Sequence, residues 1–175
     1  MADDIDFRLS SPAPSTTPGV ITPTNSSVTS EFNNRTGSTI TIYRESIPSP
    51  GNTYIIREPK SKLYITLIDG HIRLEKPLGD QGGYHWKCHD AHGWLAFSSP
   101  VSGGYIRYNP RTNTVTTVFS TPEDDRMITR IAADGNQVLL VRDREGLRYI
   151  CMGSGEHDTL RGTTETGTPW EFVKV

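Results

Sequence analysis

The sequence predicts an all-β protein built from three copies of one structural unit, and two observations carry that prediction. From Gly37 onward, short runs rich in Val, Ile, Tyr, Thr and Trp alternate with clusters of Gly, Pro, Asn and Asp, the texture of strands joined by turns. Within that region three segments align: "YIIREPKSKLYITLIDGHIRL" from Tyr54, "LAFSSPVSGGYIRYNPRTNTV" from Leu95 and "LLVRDREGLRYICMGSGEHDTL" from Leu139. Each holds a Tyr-Ile pair, Tyr64-Ile65, Tyr105-Ile106 and Tyr149-Ile150, at separations of 41 and 44 residues. Such self-similarity marks a repeat architecture, in which no unit can bury its apolar face alone.

Taken in chain order, residues 1–35 come first and differ in kind from the rest. Eleven of the twenty-one residues from Ser10 to Ser30 are Ser or Thr, punctuated by Pro12, Pro14, Pro18 and Pro23. That composition has too little apolar surface to offset the entropy of ordering, so a disordered tail is expected there and a folded domain over 36–175. Strands are expected at 39–43 ("TITIY"), 54–56, 63–68 and 71–74, with "YHWKC" (84–88) linking to the next unit. The second unit continues with strands at 94–97, around Tyr105-Ile106, and at 114–119 ("TVTTVF"). Then local and global signals conflict. "TPEDDRMITRIAADG" offers Thr121 as N-cap, Pro122 at the first helical position, acids in the first turn and Gly135 beyond the end. The repeat instead requires a linking strand, "RMITRI", matching "YHWKC" and the C-terminal "TPWEFVKV", with Trp86 and Trp170 at equivalent places. The repeat overrides the helix signal over 123–133, because tertiary context commonly beats local propensity.

Three four-stranded units of this length describe a β-trefoil, with six strands closing a short barrel and three hairpins capping one end. A propeller, the other architecture with this period, needs about four blades or more to close. The inward residues of the barrel are expected to be Ile56, Phe97 and Val141 together with Ile65, Ile106 and Ile150. The adjoining Tyr64, Tyr105 and Tyr149 point to the other face, and Ile72, Val115 and Leu160 mark the next strand of each unit.

Bulk properties exclude several functions. The chain has 175 residues and a net charge of −2, with no basic footprint for nucleic acid or anionic lipid. Its start has acid where a signal peptide needs base, and no window approaches the roughly 18 apolar residues of a membrane span. The expectation is a soluble, cytoplasmic monomer with no membrane or nucleic-acid partner. Cys88 and Cys151 could form one bridge, but two free buried thiols are the expectation for a cytosolic protein.

The densest chemistry lies in "GGYHWKCHDAHGWLAF" (82–97), where His85, Cys88, His89 and His92 look like a metal set. Period-2 alternation puts Trp86 and Cys88 on one face of a strand and His85, Lys87 and His89 on the other, which breaks the set. Residues His89 to Gly93 are read as the turn. No metal or other cofactor is expected. The remaining polar concentrations follow the Tyr-Ile pairs: Asp69-Gly70-His71, the turn holding Asn109, Arg111 and Asn113, and Glu156-His157-Asp158. With His85, His89 and His92 these are the candidate ligand-binding residues, since an acid or amide beside an aromatic ring is how shallow sugar pockets are built. The acidic run Glu123-Asp124-Asp125 and the glycines of "CMGSGEHD" (151–158) are read as turns. No nucleophile elbow, phosphate loop or zinc-protease helix is present.

The segment "GWLAFSSPVSGGYIRYNPRT" (93–112) resembles the "GWLGF…SG-YL" signature of fascin-like β-trefoils, especially short single-domain proteins of filamentous fungi, and the closing "WEFVKV" is similar to their last strand. The resemblance covers roughly 37–175 and implies a fold shared by actin-bundling fascins, ricin-type and other lectins, and protease inhibitors. The Gln-x-Trp signature of ricin-type lectins is absent, the corresponding residues reading "YHW" and "TPW". The function expected is a non-enzymatic binding module with a protein or glycan ligand. The alternatives are an actin-associated protein, and an enzyme of small-molecule metabolism using histidine acid–base groups.

Overall fold

The computed structural model describes residues 47–77, 79, 83–120, 126–133, 135–153 and 159–175. The tail at 1–35, the strand expected at 39–43, the acidic run 123–125 and the turn Glu156–Asp158 lie outside the described residues. The first unit comprises β1 (Thr53–Arg57), β2 (Tyr64–Ile68), β3 (His71–Glu75) and β4 (His85–Asp90). The second comprises β5 (Leu95–Ser98), β6 (Tyr105–Asn109), β7 (Thr114–Val118) and β8 (Met127–Ile131), and the third β9 (Gln137–Arg142), β10 (Leu147–Met152), β11 (Leu160–Thr163) and β12 (Glu171–Lys174).

The pairing is that of a β-trefoil. Strands β9, β8, β5, β4 and β1 are antiparallel neighbours in that order, and β12 pairs with β1. The ring closes where Val138 bridges Pro169 and the Trp170 N–H donates to Gln137 O at 2.8 Å. Hairpins β2–β3, β6–β7 and β10–β11 leave this barrel, and β3, β7 and β11 converge at one end as its cap. The first hairpin turns on Asp69 and Gly70, both at positive φ (50° and 78°), between the paired Ile68 and His71. Asp-Gly suits such a two-residue turn because both positions must be left-handed.

The segment with local helix signals is a strand. β8 pairs with β9 from Met127↔Val141 to Ile131↔Gln137 and touches β5 at Leu95↔Met127. A helix there would leave the facing edges of β5 and β9 without partners inside a closed barrel, a cost that capping signals cannot offset.

Four sets of residues, one from each unit, fill the interior. They are Ile56, Phe97 and Leu139; Ile65, Ile106 and Ile150; Ile72, Val115 and Leu160; and Trp86, Met127 and Trp170, none more than 5% exposed. The two tryptophans do occupy equivalent places: Trp86 Nε1 donates to Ile65 O at 2.7 Å and Trp170 Nε1 to Ile150 O at 3.1 Å. Each buried indole N–H thereby finds an acceptor on the matching strand. One expected equivalence shifts. Val141 is buried, but the register makes Leu139 the counterpart of Ile56 and Phe97, because Tyr64 faces Arg57 and Tyr105 faces Ser98 whereas Tyr149 faces Leu140. The hairpin turning at Asp143–Gly146 is longer than its two counterparts, which accounts for most of the wider spacing of the last Tyr-Ile pair.

Candidate functional site

The histidines do not form one site. β4 continues through His89 and Asp90, which pair with Ala96 and Leu95, so the turn begins at Ala91 rather than at His89. That turn is closed by Ala91 N–H to Trp94 O at 2.8 Å and Gly93 N–H to Asp90 Oδ1 at 3.1 Å, with His92 exposed at φ 57°. His85 packs on Tyr84, ring centroids 4.5 Å apart. His89 shares a 2.7 Å hydrogen bond between Nε2 and the Ser98 hydroxyl, and its ring lies 5.3 Å from that of Tyr105. Burial, then the charge of Lys87, lowers the His89 pKa. Cys88 is fully buried on the opposite face, as alternation requires. Among the described residues no three His, Cys, Asp or Glu side chains gather as a metal site. The "GWLAF" residues have structural duties: Gly93 takes φ 83°, Phe97 enters the core, and the Trp94 ring carries the Arg142 guanidinium 5.7 Å from its centroid.

The polar turns gather better, at the cap. There Ile72, Val115 and Leu160 point inward, so the residues flanking them, His71 and Arg73, Thr114 and Thr116, Thr159 and Arg161, lie on the outer side of their strands. Between the three hairpins is a depression of about 340 Å³ lined by Gly70 to Arg73, Thr114 to Thr116 and Thr159. Two hydrogen bonds tie the hairpins together around it. Thr117 Oγ1 donates to Gly70 O at 3.2 Å, and Asn113 Oδ1 accepts from the Gly162 N–H at 3.1 Å. Of the candidate residues, His71 lines this depression and Asp69 stands exposed beside it in the turn. Asn113 works as a staple, since its Oδ1 also accepts from the Tyr108 hydroxyl at 2.9 Å. Asn109 Oδ1 accepts from the Arg111 N–H at 3.0 Å, which builds the turn. Arg73, Thr114, Thr116 and Thr159 were not among the candidates, although alternation around Ile72, Val115 and Leu160 marks them.

A second depression, of about 170 Å³, lies on the side of the third unit. It is lined by Tyr149, Asn136, Glu165 and Thr166 together with Val138 and Pro169. Gly167 lies against Tyr149 so closely that a Cβ there would sit 2.9 Å from Cδ1 of the ring. Thr168 Oγ1 accepts from the Met152 N–H at 2.9 Å and holds the 165–169 segment to β10. Glu165 and Asn136 are far apart in the sequence and belong to no motif, which is why they could not be read from it.

Comparison of the sequence with protein-family models and with curated proteins finds no match. Solved structures match in fold. The Macrolepiota procera ricin B-like lectin in complex with lactose superposes with a TM-score of 0.58 at 13% identity, over 74% of this chain and 98% of that one. The BEL β-trefoil gives a TM-score of 0.57 at 16% identity, over 77% of this chain and 100% of that one. The GlcNAcα1-4Gal-releasing endo-β-galactosidase of Clostridium perfringens gives 0.55 at 14% identity over 71% of this chain, which spans 32% of the enzyme's length. At such identities the likeness establishes the β-trefoil fold.

Proposed function

We propose that this chain is a non-enzymatic glycan-binding module and that the Tyr149 depression holds one sugar ring. The carrying observation is its composition: an aromatic side chain beside a carboxylate, an amide and a hydroxyl, around a volume of about 170 Å³. A pyranose offers the complementary surface, C–H groups for the ring of Tyr149 and hydroxyls for Glu165, Asn136 and Thr166. Its size argues against a larger ligand, since drug-sized molecules occupy pockets of roughly 300 Å³ and more. The fold it shares with a lactose-bound lectin supports the same reading. The missing Gln-x-Trp signature separates it from the ricin type, so the polar groups here come from a different set of positions.

The test is a glycan array followed by NMR titration with galactose, lactose and N-acetylglucosamine. Binding that shifts the Tyr149 resonances and is lost in Tyr149→Ala and weakened in Glu165→Gln supports the site. Silence on the array and in all three titrations overturns it.

A further inference from the structure

The cap depression is a different kind of place, and we propose that it binds an acidic sugar, a ring carrying a carboxylate or sulfate as well as hydroxyls. This extends the glycan reading to a second location but rests on separate residues. The first argument is assembly. Its lining comes from all three hairpins, Arg73 from β3, Thr114 and Thr116 from β7, and Thr159 from the residue before β11. It therefore exists only in the folded cap, where the links Thr117–Gly70 and Asn113–Gly162 hold its walls in place before any ligand arrives. Such preorganisation lowers the entropic cost of binding.

The second argument is chemical asymmetry. The three units are equivalent in backbone, but the outer-face pairs differ: His71 and Arg73 on one wall, Thr114 and Thr116 on the next, Thr159 on the third. The titratable side chains among the described lining residues are His71 and Arg73, and the nearby Asp69 stands exposed in the adjoining turn outside the lining. No ion pair among the described residues engages Arg73. A guanidinium is suited to bidentate pairing with a carboxylate or sulfate. The hydroxyls of Thr116 and Thr159, each both donor and acceptor, match ring hydroxyls, while that of Thr114 shares a 2.7 Å hydrogen bond with the Thr112 hydroxyl. Ile72 and Val115, each only 5% exposed, also border the depression, and about 340 Å³ accommodates a monosaccharide with its charged substituent.

NMR titration of the full chain with glucuronate, glucose 6-sulfate, glucose and inorganic sulfate tests the proposal. Glucuronate or glucose 6-sulfate is expected to shift resonances of residues 71–73 and 114–116, with affinity at least tenfold above that of glucose and falling with added salt. Arg73→Gln, a change at an exposed position, should cost about tenfold in affinity with the melting temperature retained, and Thr116→Val a few-fold. Tyr149→Ala should leave this binding unchanged, so failure here and failure at the Tyr149 depression are separately visible. The proposal is overturned if glucose binds as well as glucuronate and glucose 6-sulfate, if inorganic sulfate binds as tightly as the sulfated sugar, or if none of the four moves the cap resonances.

Discussion

Asn113 Oδ1 accepts a hydrogen bond from the Tyr108 hydroxyl at 2.9 Å while also accepting one from the Gly162 backbone N–H at 3.1 Å. One amide oxygen thus joins the second hairpin to the third. Asn113 also sits at φ 52°, a left-handed conformation that Asn tolerates better than most residues. Asn113→Ala removes both hydrogen bonds and strains the backbone, so a loss of about 2–3 kcal/mol is expected from urea unfolding. Tyr108→Phe removes one bond and should cost about 1 kcal/mol. Equal, negligible losses in both variants would show that the staple contributes nothing.

Gly162 is the other half of that contact. A Cβ added there would lie 2.7 Å from Cε2 and 2.9 Å from Cζ of Tyr108, nearer than packed atoms approach. Tyr108 cannot swing away without releasing Asn113. Gly162→Ala is therefore expected to cost about 1–3 kcal/mol, the usual range for overpacking. Combining it with Tyr108→Val should recover part of that loss, and the double-mutant cycle measures the coupling. Strict additivity would mean that the two side chains do not meet.

How much of this was legible depends on the range of the signal. The repeat encodes the barrel, because Ile56, Ile65, Ile72 and their counterparts recur at offsets a reader can see, and the strand at Met127–Ile131 follows from them against its own helix signals. Register is less visible. Leu139 and Val141 are both buried and apolar two residues apart on one strand, so only the pairing of Tyr149 with Leu140 tells which matches Phe97. Alternation correctly separated Cys88 from His85 and His89. The depressions are least legible, because Asn136 and Glu165 border the same depression only in the folded chain, and Asn113 looks like a ligand-binding amide until its contacts with Tyr108 and Gly162 are known.

Cys88 offers a probe of global unfolding. Burial pushes its thiol pKa up to about 12, and its side chain is fully enclosed. The thiolate is the reactive form, so at pH 8 native Cys88 should resist a disulfide reagent and react only through opening of the barrel. Cys151 is half-buried, its pKa is raised by burial against the opposing charge of Arg161, and its Sγ donates to Arg161 O at 3.4 Å. Labelling should show two phases, with Cys151 the faster, and the Cys88 phase should accelerate with urea in step with unfolding. Rapid labelling of Cys88 in native buffer would contradict its placement.

His89 should give the fold an acid-sensitive term. Burial, and secondarily the charge of Lys87, lowers its pKa below the ordinary value of 6.5. The folded protein therefore favours neutral imidazole, and as pH falls the unfolded chain takes up the proton first. By linkage, stability from this group is complete above about pH 6.5, declines as pH drops through the folded-state pKa, and levels off below it. Urea unfolding of the wild type between pH 7.5 and 5 should lose stability more steeply than that of His89→Gln, a variant with no proton to gain. Lys87→Met should raise the His89 titration midpoint by removing the nearby positive charge while leaving the Ser98 contact in place. An NMR midpoint for wild-type His89 above 6.5 would reverse the sign of the whole effect, giving a histidine that stabilises the fold in acid rather than one that weakens it.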